Sequence, residues 1–253
     1  FGTVIMGRHD TPYKMAASKL DVMPDTAGYN AVLGAKADFD LRAANNAIAY
    51  LSPNFNGFDF KVAYVANEGK TKVGNTTTNP NAWSLSATYD ANNIFATVAY
   101  ERHKDFTGTL TSDVGGNAKS EKGLRFGAGY TLGDLMVGGV YEQLRATGGT
   151  ADVKRNNGYL VATYGLGNTT LMGTYGKAGK AKVGGNSLSE TDAKYFALGA
   201  EYSLSKRTSV FGIYTKVDNK KNASFDLSSS SAGLSPVNGQ DPSAFGFGIK
   251  HSF

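Results

Sequence analysis

Histidine is the side chain best suited to acid–base catalysis at neutral pH, and this sequence has three: His9, His103 and His251. None lies in a pattern that a catalytic site uses. His9 comes shortly before a proline, His103 lies at the loop end of a strand-like segment, and His251 falls on the outward register of the last strand. None of the three pairs with a serine in a nucleophile-like turn. No two of them have the spacing of metal ligands, so we expect no catalytic residue and no metal site.

The sequence has no cysteine, which removes thiol nucleophiles, thiolate metal sites and disulfides together. The pairs Gly127/Gly129 and Gly246/Gly248 have a G-x-G spacing, but neither opens a helix after a strand, as a phosphate-binding loop does. We interpret these glycines as small residues on one face of a strand. We therefore expect no bound cofactor.

The segment that ends the chain shows the pattern that organises the rest. Phe245, Phe247, Ile249 and Phe253 alternate with small or polar residues, which is the period of a β-strand with two unlike faces. A strand this apolar would aggregate at a free sheet edge, so the pattern favours a closed sheet. A terminal Phe after alternating apolar residues also resembles the C-terminal strand of bacterial outer-membrane barrels.

Similar two-faced segments recur along the chain, separated by connections that are alternately long and short. They predict about twelve strands of an all-β, antiparallel up-and-down sheet, with no domain boundary in residues 1–253. The predicted strands are residues 1–8, 45–51, 58–64, 83–89, 94–102, 124–130, 135–144, 158–164, 169–177, 196–202, 208–216 and 243–253.

Composition agrees with a many-stranded protein, because the chain contains Gly 32, Tyr 14 and Phe 14. No stretch approaches eighteen apolar residues in a row, so we expect no transmembrane helix. The net charge is +5, but the Lys and Arg residues are scattered along the sequence and form no single stripe. We therefore expect no nucleic-acid partner, since that binding needs a clustered basic surface.

The number of strands decides which face of the sheet points outward. Eight strands enclose a space that side chains can fill, whereas twelve or more leave a wide hole. The apolar face is therefore predicted to face lipid, and the small, polar face to line a water-filled interior. By alternation, Phe58, Phe60, Leu85, Phe126 and Leu198 face lipid, whereas Lys61, Ser86 and Arg125 face water. Tyrosines recur at the same end of several strands and predict an interfacial girdle: Tyr50, Tyr64, Tyr89, Tyr100, Tyr130, Tyr141, Tyr164, Tyr175 and Tyr202.

Three segments near the start of the chain resemble successive landmarks of Gram-negative general porins, closest to the β-proteobacterial branch. They are Gly2–Arg8, Asp21–Gly28 and Tyr50–Pro53, with Arg42 and Asn45 before the last. The resemblance implies a transmembrane, sixteen-stranded barrel of the outer membrane, of which this chain holds about twelve strands and lacks the N-terminal ones. It also implies a homotrimer that contacts outer-membrane lipid and lipopolysaccharide, and passive diffusion of small hydrophilic solutes and ions through the pore.

In that family a long third loop folds into the barrel and narrows it, and here residues 9–41 correspond to this pore-constricting loop. The resemblance places Asp21 and Asp25 at the loop acids, and Arg8 and Arg42 at two arginines of the wall. Opposed carboxylates and guanidinium groups across a narrow pore create a transverse field that orients polar solutes. With Lys61 and Arg125, basic groups exceed acidic groups locally, so we expect a weak anion preference. Asp25 stands where the family usually has Glu, and Thr26–Ala27 replaces an aromatic–glycine pair. Because of these differences, the resemblance does not predict the pore diameter.

A different class of function is a barrel enzyme of the outer membrane, of the phospholipase or protease type. Such enzymes use a Ser/His or Asp/His site on a barrel of similar size. The three histidines described above do not provide that site, so we expect a channel and not an enzyme.

Overall fold

The structure, a computed structural model, describes residues 1–23, 26, 39, 44–66, 68–74, 76–105, 119–227 and 234–253. Most of these residues form strands, with one short helix, α1 (Pro12–Ala16), and a 3₁₀ turn at Ser18–Leu20. The strands are β1 (Thr3–His9), β2 (Ala44–Leu51), β3 (Phe58–Ala66), β4 (Thr71–Val73), β5 (Thr76–Thr78), β6 (Asn81–Ala91), β7 (Ile94–Lys104), β8 (Ser120–Leu132), β9 (Leu135–Thr147), β10 (Val153–Leu166), β11 (Thr169–Ala178), β12 (Lys182–Val183), β13 (Asn186–Ser187), β14 (Ala193–Ser203), β15 (Thr208–Asn219) and β16 (Ser243–His251).

Twelve long strands form one antiparallel sheet in the order β1-β2-β3-β6-β7-β8-β9-β10-β11-β14-β15-β16. Each strand pairs with its neighbours along the chain, which confirms the predicted all-β, up-and-down architecture. The short strands were not predicted: β4 and β5 form a hairpin inside a segment expected to be polar loop, and β12 and β13 extend the sheet beside β10. In the part of the chain that the structure describes, no helix has the length and apolarity needed to cross a membrane. The count of sixteen strands stays a prediction.

The tight turns have the chemistry that their geometry requires. Asn92 and Asn93 join β6 to β7, and both have positive φ, at 53° and 64°. A two-residue hairpin with positive φ at both positions is a type I′ turn, whose twist matches that of the strands, and asparagine tolerates this conformation. The turn fixes the register of β6 against β7, where Ala91 pairs with Ile94. We call this edge of the sheet the short-turn rim and the opposite edge the long-loop rim.

The two faces of the sheet differ as the alternation predicts. Large apolar side chains are exposed on the outer face, for example Phe58 at 59% and Leu198 at 59%, together with Phe60, Leu85 and Phe126. Ser86 and Arg125 lie on the other face and are 6% exposed each, and Lys61 is half-buried there. An apolar sheet face that stays exposed needs a lipid environment, because water would drive it to aggregate.

The predicted tyrosine girdle needs one correction. Consecutive strands run in opposite directions, so tyrosines at the same end of each strand alternate between the two rims. Tyr50, Tyr89, Tyr130, Tyr164 and Tyr202 lie toward the short-turn rim, whereas Tyr64, Tyr100, Tyr141 and Tyr175 lie toward the long-loop rim. The result is two aromatic belts, one for each interface.

Candidate pore constriction

The segment after β1 folds against the inner face of the sheet. Helix α1 begins at Pro12, a residue suited to the first helical turn because it has no N–H to leave unpaired there. Tyr13, the next residue, is fully buried, and its backbone N–H donates to Ser84 Oγ on β6 at 2.9 Å. The inner wall therefore holds the start of the loop by its backbone as well as by its side chains.

A buried network fixes Tyr13 to β8 and β9. The Tyr13 hydroxyl donates to Glu142 Oε1 at 2.6 Å, and Arg125 donates to the same oxygen from Nη2 at 2.7 Å and from Nε at 3.2 Å. Arg125 Nη1 also donates to the Tyr13 carbonyl at 3.1 Å, and its guanidinium lies 4.1 Å from the centre of the Tyr13 ring. Asn157 Nδ2 completes the cluster by donating to Glu142 Oε2 at 3.3 Å. A buried ion pair tolerates desolvation only when its hydrogen bonds are satisfied in this way.

Glycines on the inner face give the loop room to pack. Side-chain carbons of Leu20, which is 1% exposed, would lie 3.1 Å from a Cβ at Gly127 and 3.2 Å from one at Gly129. A Cβ at Gly138 on β9 would lie 2.5 Å from Leu20 Cδ2, too close for any real contact. The interpretation of Gly127 and Gly129 as small residues of one strand face is therefore confirmed, and their function is to admit Leu20.

The far end of the same loop is held by an aromatic stack. Phe39 lies parallel to the His103 ring, with centroids 4.3 Å apart and an interplanar angle of 7°. His103 Nε2 lies 2.7 Å from Glu101 Oε1, and Phe39 meets the Tyr13 ring edge-on at 5.7 Å. Phe39 and His103 are both buried. This contact could not be predicted from the sequence, because the two residues are far apart along the chain.

The residues expected at the constriction fall into different positions. Arg8 is exposed near the loop end of β1, close to a register shift between Gly7 and His9. Asp21 follows the 3₁₀ turn, is half-buried, and lies within electrostatic range of Tyr195 on β14. Lys61 forms an ion pair with Asp59, its neighbour on the inner face of β3. Arg125 is buried beneath the loop in the network described above. Asp25 and Arg42 lie outside the described residues.

Other charges on the inner face are also paired. Lys19 of the loop contacts Asp90 at 2.5 Å near the short-turn rim, and Lys250 of β16 contacts Glu201 of β14 at 2.7 Å. Glu201 additionally accepts a hydrogen bond from Ser209 at 2.6 Å. These pairs place positive and negative charges side by side along the wall. Each pair therefore creates a local electric field but adds little net charge to the wall.

The first part of the connection from β15 to β16, up to residue 227, also turns inward, which the sequence did not predict. Phe225 is 1% exposed, and the Arg155 guanidinium of β10 lies 5.0 Å from the centre of its ring. Asn219 anchors this segment through Nδ2, which donates to the Phe225 carbonyl at 2.9 Å and to the Gln240 carbonyl at 2.7 Å. A strand can be predicted from its alternation of buried and exposed residues. A loop of this kind has no such pattern, so its inward turn could not be predicted.

The sheet has an apolar outer face and a polar inner face that packs against the segment after β1, and comparison with known proteins decides the family. A sequence profile of Gram-negative porins matches residues 1–222. The chain belongs to the Gram-negative porin family. It is an outer-membrane porin, and its exposed apolar face is the surface that meets lipid.

Known relatives agree with this assignment. The porin is 26% identical to outer membrane porin protein 32 of Delftia acidovorans, over 100% of this chain and 71% of the relative. Its fold matches the anion-selective porin from Comamonas acidovorans with a TM-score of 0.76 at 22% identity, over 100% of this chain and 75% of that one. OmpT of Vibrio cholerae, in its trimer form, gives a TM-score of 0.68 at 16% identity, over 99% and 77% of the two chains.

Proposed function

We propose that this porin is a homotrimeric channel for passive diffusion, narrowed by residues 9–41 and weakly selective for anions. The observation that carries the proposal is the buried contact of Tyr13 with Arg125 and Glu142. A loop that only crossed the rim would not bury a tyrosine on the inner wall. A loop held there reduces the cross-section that solutes can use.

The proposed constriction contains two kinds of charge. Asp21 and Asp25 supply carboxylates from the loop, while Arg8, Arg42 and Lys61 supply cations from the wall. Arg125 contributes in a different way, because its guanidinium is occupied by Glu142 and the Tyr13 carbonyl. We assign it to holding the loop in place, so that its effect on solutes is exerted through the loop's position.

Paired charges explain why the preference is weak. Lys19, Lys61 and Lys250 each have an acidic partner on the inner face, so each pair adds little net potential along the pore. The remaining bias follows from the net charge of +5 and has the sign found in the anion-selective relative from Comamonas acidovorans. Salt screens such charges over about 8 Å at physiological ionic strength, so the preference is expected to be strongest in dilute salt.

Reversal potentials across planar bilayers in a KCl gradient test this selectivity. The native protein is expected to reverse at a small potential of the sign given by chloride permeation, growing as the salt is diluted. The combined variant Arg8→Ser/Arg42→Ser should move the potential toward cation preference. A cation preference in the native protein contradicts the selectivity, and an unchanged potential in the variant removes these two arginines from the constriction.

We propose a channel and not a barrel enzyme of the phospholipase or protease type. His251 Nδ1 lies 2.9 Å from Thr208 Oγ1 at the exposed short-turn rim, and His9 Nδ1 lies 2.7 Å from the Asp10 carbonyl. His103 is buried between Glu101 and Phe39, where a substrate ester or peptide has no room. Purified protein is expected to release no fatty acid from phospholipid and no peptide from casein at concentrations that give full channel activity.

A further inference from the structure

The wall of a water-filled pore is expected to be polar, yet apolar side chains gather on the inner face near the end of the sheet. Strand register places Met172 of β11, Gly199 of β14 and Ile213 of β15 side by side. A Cβ at Gly199 would lie 3.1 Å from Ile213 Cγ2 and 3.3 Å from Met172 Cε. The Sδ atom of Met23, from the segment after β1, would lie 3.2 Å from the same Cβ. Three apolar side chains therefore converge over this glycine.

Phe211 extends this group toward the short-turn rim. It lies two residues before Ile213 on β15 and pairs with Gly248 of β16. A Cβ at Gly248 would clash with the Phe211 ring, so the ring lies across the neighbouring strand. Ile213 and Met23 are buried, at 6% and 2% exposure. Phe211 and Met172 are only half-buried, so their side chains remain accessible from the pore. The name apolar patch is used below for Met23, Met172, Phe211 and Ile213.

An ion pair lies next to the apolar patch. Lys250 Nζ lies 2.7 Å from Glu201 Oε2 and 5.3 Å from the centre of the Phe211 ring. Both charged side chains are partly exposed, at 44% for Lys250 and 25% for Glu201. The Ser209 hydroxyl donates to Glu201 Oε1 at 2.6 Å, which holds the carboxylate in place. The wall thus presents a positive charge, a negative charge and an aromatic ring within one small area.

The ion pair has hydrogen-bonding capacity left for a solute. An ammonium group has three donors, and each carboxylate oxygen can accept two hydrogen bonds. Among the described residues, Lys250 donates to Glu201 alone, and each Glu201 oxygen accepts one hydrogen bond. A partly exposed ion pair also contributes little to stability, so a solute can share it without unfolding the wall. Its complement is a small molecule that carries one cation and one anion.

We propose that the apolar patch and this ion pair form a binding subsite for zwitterionic α-amino acids with apolar side chains. The ammonium and carboxylate groups of such a molecule are attached to one carbon atom, so they can reach Glu201 and Lys250 together. Its side chain then covers Phe211 and Met172. A simple anion gains Lys250 but meets the charge of Glu201, and a polar amino acid leaves the apolar surface wet. The subsite rests on the proposed diffusion function and adds to it a class of solute that is retained between the loop and the short-turn rim.

Saturation-transfer NMR on the purified protein in detergent micelles, with empty micelles as the blank, tests the subsite, because this method measures weak binding without any channel current. The probes are L-phenylalanine, 3-phenylpropionate, which lacks the ammonium group, and L-serine, which lacks the apolar side chain. We expect L-phenylalanine to bind about fivefold more tightly than either of the other two. Binding of 3-phenylpropionate or of L-serine that is as tight as that of L-phenylalanine overturns the proposal.

Two variants remove the two parts of the subsite separately. Phe211→Ala removes the ring, and Glu201→Gln/Lys250→Gln removes the ion pair without changing the net charge. Each should weaken the binding of L-phenylalanine about fivefold. Phe211→Leu keeps an apolar side chain and should bind as the native protein does, which separates loss of contact from misfolding. Native binding by both Phe211→Ala and the double variant contradicts the assignment.

The control variant, Lys19→Gln/Asp90→Asn, removes another exposed ion pair near the short-turn rim. Its side chains are 48% and 43% exposed, and Lys19 Nζ lies 5.5 Å from the centre of the Phe95 ring. Phe95 is only 6% exposed, so it offers no apolar surface to a solute. The control should bind L-phenylalanine as the native protein does, and an equal loss in the control overturns the proposal. Conductance of the same samples in planar bilayers tests the channel function separately.

Discussion

Replacing Glu142 with glutamine keeps the side-chain shape and removes one buried charge, so it isolates what holds the loop. The Glu142 and Arg125 side chains are only 3% and 8% exposed, and Glu142 accepts four hydrogen bonds, from Tyr13, Asn157 and twice from Arg125. The substitution leaves the Arg125 guanidinium buried without a counter-charge, which typically costs about 3–5 kcal/mol. For a chain of this length that corresponds to a melting temperature lowered by roughly 10 °C.

The same substitution should also release Tyr13 from the wall, so channel recordings should show a noisier and larger conductance. Glu201→Gln is the matched control, because this substitution removes the same charge from an ion pair with Lys250 that is partly exposed. An exposed pair contributes about 0–1 kcal/mol, so this variant should keep a native melting temperature and a quiet channel. Melting is monitored as the loss of the band of folded protein on gels of samples that were not boiled. Equal effects of the two variants, or a quiet channel in Glu142→Gln, would refute the assignment of the network to loop positioning.

Two further pairs of substitutions test the glycine contacts and the orientation of the sheet. Gly138→Ala places a Cβ 2.5 Å from Leu20 Cδ2, so this variant should disturb the loop and raise the noise of the channel current. In the control Gly173→Ala, the new Cβ has its nearest neighbour at 3.6 Å, so the recordings should stay native. Equal recordings from the two variants would exclude Leu20 from the contacts that support the loop. In the cysteine-free chain, Lys250→Cys should react with a water-soluble maleimide in membranes and Ile249→Cys should not, because the two residues lie on opposite faces of β16; the reverse pattern would place the apolar face inside.

The strands could be predicted because each one carries its own evidence. Alternation in Phe58–Ala66 or Asn81–Ala91 marks both the strand and the face that meets lipid, without reference to any other segment. Turn chemistry at Asn92 and Asn93 is equally local. Strand ends were less accurate, since β8 and β10 begin four and five residues before the predicted positions, at Ser120 and Val153, where the outer face has become basic and the apolar alternation is lost.

The contacts of the site could not be predicted in the same way. Arg125 was assigned to the water-filled side by alternation, which is the correct face, but its burial depends on Tyr13, more than a hundred residues away. The stack of Phe39 on His103 and the inward turn of Phe225 also join segments that have no local signature. The pairing of Arg102 with Lys122 and of Lys122 with Arg145 depends on register between strands, and register follows from pairing along the whole sheet.

The most direct test of a loop-narrowed diffusion channel is the swelling of liposomes that contain the native, full-length protein. In isotonic solutions of uncharged sugars of increasing size, the rate of swelling measures how fast each sugar enters. We expect rapid swelling in a pentose and a steep decrease from disaccharide to tetrasaccharide, which is the result of the proposed narrowing by the loop that Tyr13 anchors. Absence of swelling, or a rate that does not depend on sugar size, would contradict it.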